Sequence, residues 1–93
     1  WEGRKNAAIS EVYGARLMPH NPNGPLSTLI GVHLAACTPN FEMLEYPRQP
    51  EGLPPVLRGL PEVVEGHIEV PQRPGWGVDI DEDVLREFPV ETD

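Results

Sequence analysis

The chain has 93 residues, room for at most one small domain that hides only a modest share of its surface. Its formal net charge of −8 gathers toward the end, at Asp79, Asp81, Glu82, Asp83, Glu87, Glu91 and Asp93. That acidic face repels phosphate backbones and argues against a nucleic-acid partner. The single cysteine, Cys37, excludes an internal disulfide, and its apolar surroundings predict a thiol packed as a small hydrophobe. No apolar run approaches the ~20 residues of a membrane span, so a soluble chain in a reducing compartment, the cytoplasm, is expected.

Trp1 opens the chain, and Lys5 to Tyr13 already reads as the middle of a helix, so a piece of a longer protein is expected. Ala8, Ile9, Val12 and Tyr13 form its apolar stripe. Gly14 stands where a glycine ends a helix by entering the left-handed region. Ala15 to Met18 reads as a short strand, and Pro19 to Pro25, with three prolines, must be a loop. Pro25 suits the first position of a second helix, capped by Asn23 or Gly24. From Leu26 to Cys37 that helix is apolar or small at almost every position, and so needs cover on most sides. Thr38-Pro39-Asn40 ends it. Phe41 to Tyr46 is the second strand, with Phe41, Met43 and Glu45 on one face and Glu42, Leu44 and Tyr46 on the other.

Helix, strand, loop, helix, strand with short connections is the order of β/α units with a parallel sheet, which places the chain in the α/β class. Residues 1–46 make this part; residues 47–93 are an irregular tail. Proline accounts for 12 residues, roughly 13% against a usual ~5%, and most lie beyond residue 46. Within the tail, Pro47 to Pro61 reads as irregular, Val63 to Val70 as one strand and Pro71 to Gly77 as a turn. Asp81 to Phe88 reads as a short helix with early carboxylates at its positive end.

Three histidines compete for chemistry. His20 ends a strand in a proline-flanked loop leading to a helix, the edge where β/α architectures collect reactive groups. An imidazole there either moves protons near neutral pH or is a surface side chain. His33, inside the apolar helix, reads as a hydrogen-bonded core residue, and His67 as a solvated strand residue. Glu45 ends the second strand on the same edge as His20, so the two side chains are expected to converge from adjacent parallel strands. Glu42 points to the opposite face and takes no site role. No metal-ligand set is present; the alternation Asp79, Asp81, Asp83 lacks the glycine and distal glutamate of a calcium loop and reads as helix capping.

Residues 14–46, with Pro19-His20-Asn21-Pro22, the small-residue helix and Pro39-Asn40-Phe41, resemble the seventh and eighth β/α units of the mandelate racemase/muconate lactonizing group of the enolase superfamily. The likeness is strongest to its acid-sugar dehydratases, such as galactonate dehydratase. The tail, through Gly66-His67-Ile68-Glu69-Val70-Pro71 and Pro74 to Asp81, resembles the segment that returns to that family's capping domain, although Trp76 stands where a smaller apolar residue is commoner. The resemblance implies the C-terminal portion of a (β/α)₈ barrel, with the rest of the barrel and the capping domain as partners of this chain. It puts the α-proton acid/base on His20, paired with an aspartate from the sixth strand, and substrate binding on Glu45. It implies Mg²⁺ held by carboxylates outside this chain, a sugar-acid substrate, loss of water to a 2-keto-3-deoxy acid, and a homo-oligomer. On this reading the isolated piece is inactive. The alternatives are a racemase, epimerase or cycloisomerase of the same superfamily, and, from another class, a non-catalytic acidic binding module.

Overall fold

A computed structural model describes residues 1–47 and 55–88, and the chain divides into two compact units, Trp1–Arg48 and Gln49–Asp93. In the first unit, helix α1 spans Glu2–Val12. Gly14, at φ 69°, closes it: its N–H donates to Glu11 O (2.9 Å) and that of Ala15 to Ser10 O (2.9 Å). This paired reversal satisfies carbonyls that the helix end would otherwise leave bare. Helix α2 spans Pro25–Ala36 with Gly24 as its cap and Pro25 in the first turn, where a missing N–H costs nothing.

Between the helices the chain is extended, but the two expected strands reduce to one parallel bridge, Leu17 with Phe41. Leu17 donates to Asn40 O at 2.8 Å and accepts from Glu42 N at 3.0 Å. One bridge is all that two neighbouring stretches support when neither has a second flanking strand among the described residues. Asn40 ties the start of the second stretch to α1: its Nδ2 donates to Ser10 Oγ (2.9 Å) and Ala15 O (2.8 Å). On the other side Gly31 of α2 lets Leu44 lie against the helix backbone; a Cβ at Gly31 would sit 2.9 Å from Leu44 Cδ1.

The buried apolar side chains of this unit are Ala7, Leu29 and Val32. The stripe expected to bury α1 does not do so: Ile9, Val12 and Tyr13 are 61%, 83% and 84% exposed, because no described element covers that side. Leu26 and Ile30 on α2 are likewise open. Cys37 is exposed rather than packed; it follows the last turn of α2, and its Sγ lies 3.3 Å from Leu34 O.

Among its described residues the second unit holds two short antiparallel pairs and a helix. Strand β1 (Leu57–Arg58) pairs with β4 (Asp79–Ile80), Leu57 opposite Ile80, so a ladder rung lies inside the segment read as irregular. Residues 48–54 of that segment lie outside the described residues. The single strand expected over Val63–Val70 is instead a hairpin, β2 (Val63–Val64) with β3 (His67–Ile68). Its two central residues, Glu65 (φ 50°) and Gly66 (φ 79°), both take positive φ, the geometry that matches the twist of a tight hairpin. Gly77, at φ 80°, tolerates no Cβ, which would fall 2.2 Å from that of Pro71.

Helix α3 spans Glu82–Arg86 and is capped by Asp81, whose Oδ1 accepts from Val84 N at 3.3 Å. Arg58 donates to the other oxygen of Asp81 at 2.8 Å, and with the Val84 N–H holds this carboxyl below its usual range. Asp79 pairs with Arg73 and Asp83 with Arg86. Each of the three aspartates is thus matched to an arginine, while Glu91 and Asp93 lie outside the described residues. No helix among the described residues is long and apolar enough to cross a membrane.

Candidate active site

The Leu17–Phe41 bridge sets two chain segments side by side and in the same direction. Three residues beyond Leu17 comes His20, and four beyond Phe41 comes Glu45, so both sit at the carboxyl ends of the two stretches. Their side chains meet: His20 Nδ1 lies 2.6 Å from Glu45 Oε2. A carboxylate only accepts, so the proton of this contact belongs to Nδ1, and in the neutral ring Nε2 is the acceptor. His20 is mostly exposed and Glu45 about half exposed, so the pair is open to a ligand.

A third residue completes the arrangement. The backbone N–H of Asn21 donates to Glu45 Oε2 at 2.7 Å, and its side-chain Nδ2 donates to Glu45 O at 3.0 Å and to Thr28 Oγ1 at 2.9 Å. Asn21 is buried, as is Thr28 in the first turn of α2. The Asn21 N–H above all, and then the His20 ring, hold the Glu45 carboxyl below the usual carboxylate range, against a partial desolvation that raises it. Glu45 is therefore ionised at neutral pH.

A stability consequence follows from the sign of that shift. A depressed carboxyl pKa stabilises the fold above the unfolded value and loses that contribution as pH falls through the folded one. In the full-length protein the melting-temperature gap between wild type and Glu45→Gln should be widest near neutral pH and narrow steadily below about pH 4. Thermal melts at stepped pH measure it, and a gap independent of pH would mean that the carboxylate is not held in this way.

The other candidates stay apart. Glu42 turns away and pairs with Arg16. His67 is exposed on β3, its Nδ1 2.9 Å from Glu65 O, and His33 is half-buried on α2. Asn21 escaped the reading of the sequence, where it was only one residue of a proline-rich loop; its place directly after His20, between Pro19 and Pro22, was the available signal. Among the described residues no group of three or more His, Cys, Asp or Glu could hold a metal ion. The described residues therefore do not by themselves fit a Mg²⁺ site.

A histidine and an ionised carboxylate are thus held in contact at the ends of two parallel segments, an arrangement chemically able to move a proton. The chain belongs to the Enolase C-terminal domain-like family, which matches residues 1–84. It is 37% identical over 90 residues to the D-galactonate dehydratase family member RspA of Pantoea ananatis, an alignment covering 95% of this chain and 22% of that protein. Among solved structures it resembles an enolase from Pantoea ananatis with bound D-gluconate and Mg (TM-score 0.80, 36% identity, 96% of this chain and 22% of the other). It also resembles a Burkholderia xenovorans LB400 structure described as an L-alanine-DL-glutamate epimerase, bound to magnesium and fumarate (TM-score 0.83, 31% identity, 91% and 21%). The chain thus spans about a fifth of the length of the relatives it matches.

Proposed function

We infer that this chain forms the last two β/α units of a (β/α)₈ barrel, with a tail that returns to a capping domain, in a magnesium-dependent acid-sugar dehydratase. The observation that carries this reading is the 2.6 Å contact of His20 with Glu45 at the ends of two parallel segments. The similarity to D-galactonate dehydratase family members and to a gluconate-bound enolase supports the substrate class. Magnesium would be held by residues outside this chain and would stabilise the enolate; this chain contributes His20 and Glu45.

His20 Nε2 takes the proton from C2 of the sugar acid, and Nδ1–H stays on Glu45, which stabilises the imidazolium so formed. The electron pair left at C2 then expels the C3 hydroxyl, which takes up a proton and leaves as water. The enol that remains tautomerises to a 2-keto-3-deoxy acid. Glu45, already accepting two N–H bonds, is an acceptor toward substrate as well. It binds through hydroxyl hydrogens of the sugar chain and repels a misplaced substrate carboxylate.

A second reading, an epimerase or racemase of the same superfamily, is favoured by the likeness to the Burkholderia structure. Both readings need removal of the C2 proton; only the dehydratase loses water. The full-length protein with Mg²⁺ should therefore be offered D-galactonate, D-gluconate and their stereoisomers in D₂O. A 2-keto-3-deoxy product deuterated at C3, with C2 deuterium in the unreacted acid, is the expected result. Exchange with inversion and no dehydration would establish the epimerase, and neither event with any acid or amino-acid derivative would overturn the assignment of proton transfer.

A further inference from the structure

Beyond the roles given to His20 and Glu45, we propose that Asn21 is a positioning residue, with Thr28 as its anchor, and that together they set where Glu45 meets the substrate. The proposal rests on the functional reading of Glu45 above. Asn21 is only 3% exposed, and it grips Glu45 at two places: the backbone carbonyl through Nδ2 and the carboxylate through its own N–H. Holding both ends of one residue leaves the intervening side chain little freedom to swing. A peptide carbonyl can only accept, so the amide nitrogen must be the atom facing Glu45 O, and the orientation of the Asn21 side chain is settled.

The second hydrogen of that nitrogen goes to Thr28 Oγ1, which is buried in the first turn of α2. A helix of 12 residues therefore serves as the fixed point from which the loop residue reaches across to the second strand end. The amide oxygen of Asn21 is buried without a hydrogen-bond partner, so the side chain is kept for what its nitrogen does, at a cost in unsatisfied polarity. His20 precedes Asn21 directly, so the same anchor places the imidazole against Glu45.

The test is a double-mutant cycle in the full-length enzyme with Mg²⁺ and the sugar acid it turns over. Asn21→Ala keeps the backbone N–H on the carboxylate but removes the side-chain bonds to Glu45 O and Thr28 Oγ1, and should raise KM about fivefold, the size expected for a lost hydrogen bond between neutral groups, with a smaller fall in kcat. In the Glu45→Gln background the same substitution should add less than about twofold, because the group it positions is already gone. Should Asn21→Ala fail to fold, Thr28→Val removes the anchoring hydroxyl at nearly constant volume and should raise KM in the same direction, while Thr28→Ser restores it. Equal losses in both Glu45 backgrounds, or a wild-type KM for Thr28→Val, would overturn the positioning role and leave the function of Glu45 standing. A wild-type KM for Glu45→Gln itself would overturn both.

Discussion

Full-length enzyme carrying His20→Asn should keep its fold and its metal while losing exchange of the substrate C2 hydrogen with solvent. Asparagine fills a similar volume at a largely exposed position, and no cluster of three or more metal-ligating residues lies among the described residues, so nothing structural need fail. Turnover should fall by the ~10²–10⁴ typical of a lost general acid/base. Glu45→Gln should give a different pattern. It leaves the imidazole in place, and the glutamine oxygen can still accept from Asn21 N–H and His20 Nδ1, so part of the C2 exchange persists. It removes the charge that orients substrate and supports the imidazolium, so KM and turnover both worsen. Proton NMR in deuterated buffer follows both variants in one assay. Wild-type exchange in His20→Asn would place the base elsewhere and remove the proposed mechanism.

The 93-residue chain on its own should show no cooperative thermal transition. Its buried apolar side chains among the described residues are Ala7, Leu29, Val32 and Leu57. Val12 on α1 with Trp1 and Tyr13 at its two ends, Met18 and Met43 on the extended segments, and Phe88 beyond α3 all stand open. Burying apolar surface is worth ~25 cal/mol per Å², but only where a partner covers it. Ordering the backbone costs ~1–2 kcal/mol per residue whether or not cover is present. One parallel bridge and two pairs of two-residue strands add few hydrogen bonds against that loss. Differential scanning calorimetry of the purified chain should therefore trace a broad, featureless curve. A sharp endotherm with matching calorimetric and van't Hoff enthalpies would mean that these residues fold alone, and would revive the reading as an independent binding module.

How far the structure was legible depends on how local its causes are. Gly14 announced the end of α1 and Pro25 the start of α2, because each acts through its own backbone geometry. The meeting of His20 and Glu45 was legible for a similar reason: each closes an extended segment just before a reversal, and parallel neighbours put such ends together. The β1–β4 pairing was not legible. Strands of two residues carry no periodicity, and the partners are more than twenty residues apart. The β2–β3 hairpin was misread because alternation runs on through the turn, and Glu65-Gly66 lacks the asparagine or aspartate that usually marks one. Asn21 and Thr28 were invisible as a pair because a hydrogen bond between a loop amide and a helix hydroxyl leaves no pattern along the chain.

Gly31 bears on any attempt to make this protein sturdier. A glycine in the middle of a helix invites replacement by alanine, commonly a gain of ~0.5–1 kcal/mol. Here the new methyl would press on Leu44, and Leu44 is bonded to Glu45 in the chain. A stabiliser's most routine substitution would thus push against the residue next to the proposed substrate contact. Leu44 would have to turn its side chain aside, so the gain in α2 would be set against a loosened contact beside Glu45, and heat resistance in this region is better sought on the far side of α1.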